Sequence, residues 1–134
     1  MSIIVTDQGF VDDDWTGGFA ALNDAHPGVG IDLAASSDPM ELAGRLGDIP
    51  VIRVDFPSFA DGRGFTIARQ LRLMGYTGRL RARGHVIADQ YAMARRAGFD
   101  EIEIAEDLAA RQTEDQWLFR ADWRAHDYQT RLRG

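Results

Sequence analysis

Three groups of residues in this 134-residue chain are of types that handle anions or protons. The first is the turn Asp61-Gly62-Arg63-Gly64. Free N–H groups at a helix start attract anions, arginine adds a fork of donors, and glycine allows close backbone approach. The plainer alternative is that Asp61 caps the helix and the glycines shape a tight turn. The second group is the alternating row Arg79, Arg81, Arg83 and His85. Such a row either holds a doubly charged oxyanion, with Arg81 and Arg83 as the foremost candidates, or pairs with the chain's own acids. Asp32, Asp55, Glu101 and Glu103 are at hand for that pairing, because buried cations need acids. A split outcome leaves one or two arginines free. The third group is His85 with Asp89 and Gln90 one turn on, either an oriented base or a surface pair.

These residues must be positioned by an alternation of strands and helices. Ile3-Ile4-Val5, Asp7-Gln8-Gly9 and Phe10-Val11 predict a small hairpin, ended by Asp12 to Trp15. Phe19 to Leu22 predicts one helical turn. Strands follow at Ile31–Ala35, Val51–Phe56, Leu80–Val86 and Glu101–Ala105. Helices are predicted from Asp38-Pro39 through Leu46, over Gly64–Met74, over Ile87–Ala97 and over Asp107–Asp115. Four strand–helix units in series imply parallel strands joined by crossovers. The expected fold is a single α/β domain over 1–134, half-barrel-like or two-layered, with helices mainly on one face and an N-terminal β-hairpin.

The strands also alternate in polarity. Ile52, Val54 and Phe56 oppose Arg53 and Asp55; Ile102 and Ile104 oppose Glu101 and Glu103. One sheet face is therefore apolar and takes the helices. The other is charged, with signs that change from strand to strand. At a strand spacing of about 4.8 Å those charges pair laterally. That face forms its own ion-pair lattice, lies under the C-terminal aromatics Trp117, Phe119, Trp123 and Tyr128, or meets a partner.

Composition narrows the chemistry. The chain has no cysteine, which excludes disulfides, thiol redox chemistry and cysteine-ligated clusters. It has no lysine either, which excludes Schiff-base catalysis and a Walker-type phosphate loop. From Arg63 to Arg96 there are eight arginines and one acid, in a protein of net charge −6. That balance argues against general nucleic-acid binding. No apolar run approaches the roughly 18 residues of a membrane span, and the N-terminus lacks a basic region, so the expected location is the cytoplasm. No metal set, dinucleotide fingerprint, nucleophile elbow or zinc-protease motif is present.

The segment Phe59–Phe99 carries a combination of motifs: Asp61-Gly62-Arg63-Gly64-Phe65, Gly75-Tyr76-Thr77-Gly78, Leu80-Arg81-Ala82, Gly84, Asp89-Gln90 and Gly98-Phe99-Asp100. Together they resemble a bacterial family of unknown function labelled as oxidoreductases of sulfite reduction. Asp12-Asp13-Asp14-Trp15 and Asp127-Tyr128-Gln129 are similar to it as well. Where the family pattern has Glu, Asp and Cys, this chain has Arg79, His85 and Ala97. The resemblance implies an accessory role in assimilatory sulfite reduction, as an oxidoreductase component or as a partner of sulfite reductase or its electron donor. No cofactor is expected from the residues; electron carriage requires a noncovalent flavin or a partner's centre. The alternatives are a small-oxyanion-binding enzyme or sensor at Asp61–Gly64, and a structural homodimer that buries the charged face.

Overall fold

In the computed structural model, residues 2–121 and 123 are described. Seven strands form one sheet: β1 (Ser2–Thr6), β2 (Gly9–Val11), β3 (Phe19–Ala21), β4 (Gly30–Leu33), β5 (Val51–Phe56), β6 (Arg79–Gly84) and β7 (Glu101–Ala105). Their order is β2-β1-β7-β6-β5-β4-β3. Strands β3 to β7 run parallel, and β1 is antiparallel to both β2 and β7. Among the described residues there are four α-helices, α1 (Arg63–Leu73), α2 (Tyr91–Ala97), α3 (Glu106–Arg111) and α4 (Glu114–Ala121). The expected α/β architecture, with its parallel units and N-terminal hairpin, is the one observed.

All four helices pack on one face. Ile31, Leu33, Val54, Leu80 and Ile102 from the sheet join Phe65, Leu71, Ala94, Leu108 and Trp117 in a single core. Helix α1 buries Phe65, Ile67, Ala68 and Leu71, a stripe at helical spacing. Helix α2 ends at Gly98, whose φ of +119° places it in the left-handed cap position; Phe99 N–H then reaches back to the Ala94 carbonyl at 3.0 Å.

Several local expectations are corrected. Phe19-Ala20-Ala21 is a strand, not a helical turn, because pairing with β4 overrides local preference. The helix expected after Asp38 is two 3₁₀ turns, Pro39–Leu42 and Leu46–Asp48, separated by Gly44 at φ +79°. The Asp38 cap is present: its carboxylate accepts from Met40 N–H at 3.0 Å. Ile87–Ala97 opens as a 3₁₀ turn at Ala88–Gln90. The helix expected over Asp107–Asp115 is split between α3 and α4.

The described C-terminal aromatics, Trp117, Phe119 and Trp123, do not cover the charged face. Trp117 is buried on the helix side, edge-on to Tyr91, and Trp123 packs against that same core. Phe119 is 70% exposed, and Tyr128 lies outside the described residues. The charged face is instead an ion-pair lattice. Strand register places Asp32, Arg53, Arg81 and Glu101 in one row across four strands, and Asp55, Arg83 and Glu103 in the next. Arg53 holds Asp32 at 2.6 Å and Glu103 at 3.1 Å. Arg79 holds Glu101 at 2.6 Å. Arg81, with no exposed surface, binds Glu101, Glu103 at 2.8 Å and Asp13 at 2.8 Å.

Residues 13–19 cross the face as a strap. Asp13 meets Arg81, Asp14 meets Arg79 at 2.6 Å, and the Phe19 ring lies 3.8 Å beneath the Arg53 guanidinium. Gly30 makes room for that ring, since a Cβ there would stand 2.7 Å from it. Burial opposes the charge on Arg81, but its carboxylates reverse that effect and hold it more firmly protonated than usual. The hydrogen bond from Arg81 holds the Asp13 carboxyl below its ordinary range, and Arg79 does the same to Asp14.

Two outcomes follow from the lattice. Arg81→Met leaves Glu101 and Glu103 buried without their shared cation. It is expected to cost about 3–5 kcal/mol in urea unfolding. Because the Asp13 and Asp14 values are depressed on folding, their contribution is complete above the unfolded aspartate pKa of about 3.9 and is lost as pH falls through the lower folded values. Stability should therefore drop on acidification through that window. The drop should be shallower in an Asp13→Asn/Asp14→Asn variant; an unchanged slope would remove the strap from the acid response.

Candidate functional site: the carboxyl edge of the parallel strands

Gly84, the last residue of β6, shapes this edge. Its φ is +108°, and a Cβ there would stand 2.8 Å from the Phe56 carbonyl oxygen. The close approach lets His85 donate twice to that oxygen, from its backbone N–H at 3.0 Å and from ring Nδ1 at 3.1 Å. A carbonyl only accepts, so Nδ1 carries the proton and Nε2 of the neutral ring is an acceptor. The Phe59 ring stands edge-on to His85, 5.0 Å between centroids. His85 is thus oriented by a backbone carbonyl and an aromatic ring. The expected partner Asp89 instead binds Arg120 of α4 at 2.9 Å. Gln90 ties down the loop after β5: its side chain accepts from Ile87 N–H at 3.0 Å and donates to the Phe59 carbonyl at 3.1 Å.

Beside His85 the charged face opens into a cleft of about 420 Å³, lined by Ser2, Asp55, Arg83, His85 and Glu103. It lies at the carboxyl ends of β5 and β6, where open α/β sheets take ligands. Arg83 and His85 are brought together here. The Arg83 side chain is 49% exposed, and among the described residues its one carboxylate contact, to Glu103, is long at 3.6 Å. Asp55 was expected to pair with the arginine row and does not. Its carboxylate makes no ion pair or side-chain hydrogen bond among the described residues. Arg81 lies deeper and has its donors committed to Glu101, Glu103 and Asp13, so of the arginine row it is Arg83 that is open to a ligand.

Asp61, Gly62, Arg63 and Gly64 form the start of α1 and are neutralised from within. The Asp61 carboxylate accepts from Arg63 N–H at 3.1 Å, from Nε at 3.0 Å and from Nη2 at 2.7 Å. Those bonds hold the Asp61 carboxyl below its usual range. Gly64 is a packing glycine: a Cβ there would stand 2.4 Å from the Phe56 ring. The loop's charge therefore serves the loop itself. The chemistry gathers around Arg83 and His85, with Asp55, Ser2 and Phe59 added by the fold. Among the described residues no group of three potential ligands gathers for a metal ion, and no helix is long and apolar enough to cross a membrane.

The fold and cleft define an α/β protein with one sheet, helices on one face and an open polar cleft at the carboxyl edge of its parallel strands. The chain belongs to the family of bacterial proteins of unknown function designated DUF934, which matches over residues 30–134. That match begins at Gly30, the first residue of β4, so the hairpin and the strap precede it. No curated protein and no solved structure matches the chain.

The Gly84 geometry is directly testable. Gly84→Ala is expected to cost about 1–3 kcal/mol in denaturant unfolding, from the left-handed backbone and the clash with the Phe56 carbonyl. The His85 ring resonances should shift in the same variant, because the clash moves the Nδ1 anchor. A variant as stable as the parent, with unchanged His85 signals, would mean the edge relaxes freely.

Proposed function

We propose that this protein is an accessory component of assimilatory sulfite reduction, a partner of the reductase or of its electron donor, and that it holds a small sulfur oxyanion between Arg83 and His85. One observation carries the site: the lattice satisfies its other strand arginines and leaves Arg83 half exposed at the carboxyl edge of the sheet. A guanidinium presents a fork of donors to such an anion. The Nε2 atom of His85, fixed in direction by the Phe56 carbonyl, adds a second polar contact by accepting from an O–H of such an anion. The pathway rests on the resemblance of residues 59–99, which lie inside the family match. The chain has no cysteine to ligate a cluster, so this reading assigns the electrons to a partner's centre.

The test is growth of a bacterium deleted for the gene. It is expected to fail on sulfate and sulfite and to grow on sulfide and cysteine. The parent gene restores growth on sulfite; Arg83→Gln, folded and equally stable by thermal melting, does not. Normal growth of the deletion strain on all four sources would sink the pathway reading. Full rescue by Arg83→Gln would keep the pathway and remove the site.

A further inference from the structure

We infer that the cleft selects an oxyanion that still carries a proton, and that Asp55 is the group that reads that proton. This rests on the oxyanion reading above and names its ligand class. Asp55 and Arg83 sit opposite one another in the β5–β6 register, one on each strand. Side chains so placed on one face ordinarily pair. These do not: Arg83 turns toward Glu103 at 3.6 Å, and among the described residues Asp55 has no ion-pair or hydrogen-bond partner. One Asp55 carboxylate oxygen lies along the Gly84 backbone, 3.6 Å from the position a Cβ would take there. The cleft thus offers one open cation and one open carboxylate side by side.

A carboxylate only accepts hydrogen bonds. A fully deprotonated dianion on Arg83 would face Asp55 and Glu103 as like charges across a short distance. An oxyanion bearing an O–H turns the same proximity into a charge-assisted hydrogen bond to Asp55, while its anionic oxygens remain on Arg83. With Nδ1 donating to the Phe56 carbonyl, Nε2 in the uncharged form of the ring is a further acceptor, and no donor among the described residues is bonded to it. Ser2, whose hydroxyl gives or takes a hydrogen bond, does not alter this balance. The groups that face the site therefore favour hydrogen sulfite or hydrogen phosphate and reject sulfate, which carries no proton near neutral pH. Such discrimination is steep because the analogue without the donor leaves an acceptor unpaired.

The experiment is titration calorimetry on the full chain near neutral pH, at constant ionic strength, with sodium sulfite, sodium phosphate and sodium sulfate as separate titrants. Sulfite or phosphate is expected to bind at least about 30-fold more tightly than sulfate, and the comparison of the first two tells which anion the site takes. In Asp55→Asn, whose amide also donates, sulfate should rise to within about threefold of the better anion. Sulfate binding the parent protein as tightly as the others would overturn proton selection while leaving the oxyanion site intact. A preference that survives Asp55→Asn would overturn the role of Asp55. No binding of any of the three would overturn this inference and the oxyanion site together, leaving the pathway to the growth test.

Discussion

The structure turns on a guanidinium that never meets water. Arg81 has no exposed surface, yet it carries a full charge in the middle of the sheet. Three carboxylates from two directions make that tolerable, two from β7 beside it and one from the strap above. Arginine suits the position because its planar fork presents donors to several acceptors at once, where lysine offers a single point charge. Once Arg81 is satisfied, Glu101 and Glu103 have charge to share with Arg79, Arg53 and Arg83, and the row closes laterally with Asp32. No buried side-chain nitrogen or oxygen among the described residues lacks a partner. The polar face is thus as fully determined as the apolar one.

The two ends of that face differ in how far this satisfaction extends. Toward the amino ends of the parallel strands, the strap and the Phe19 ring fill the surface. Toward the carboxyl ends the described residues leave a cleft, where Asp55, Arg83 and His85 are addressable. Phe56 connects this edge to the core. Its ring packs on Phe65 at 5.0 Å and Phe99 at 5.7 Å between centroids, while its carbonyl anchors His85. One residue therefore links helix–sheet packing to the position of an imidazole. Two glycines approach this same residue, Gly64 at its ring and Gly84 at its carbonyl.

Much of this was legible in the sequence because period-2 alternation is a strong signal. Arg53 and Asp55 between Ile52, Val54 and Phe56 fix which face is charged, and the neighbouring strands repeat the pattern. The sharing of Glu101 and Glu103 among arginines followed from that alternation and the nearness of parallel strands. Phe19-Ala20-Ala21 was not legible as a strand: three residues with two alanines carry no period, and only β4 makes them extended. The strap was hidden for a related reason. A run of three aspartates after a hairpin looks like a solvated loop until register shows which arginines lie below it. The His85–Asp89 pairing failed because helical spacing presumes a helix already running at His85, and the helix begins later. Asp55 escaped notice as a free group because pairing rules count acids and bases without showing which way each side chain leans.

Strand order also dictates a sequence of events. β1 is the first of the described strands, but its place in the sheet is between β2 and β7, and β7 ends at Ala105. The hairpin alone is too small to hold its shape in water. Until β7 has been made, β1 has only β2 to pair with, so the hairpin cannot join the sheet before the parallel units have emerged. Its docking closes a loop that spans most of the protein, the costliest closure in the fold and so a late one. The strap runs from the hairpin to β3, so both of its ends are anchored once that closure has occurred. With the strap undocked, Arg81 keeps Glu101 and Glu103 but lacks the carboxylate of Asp13.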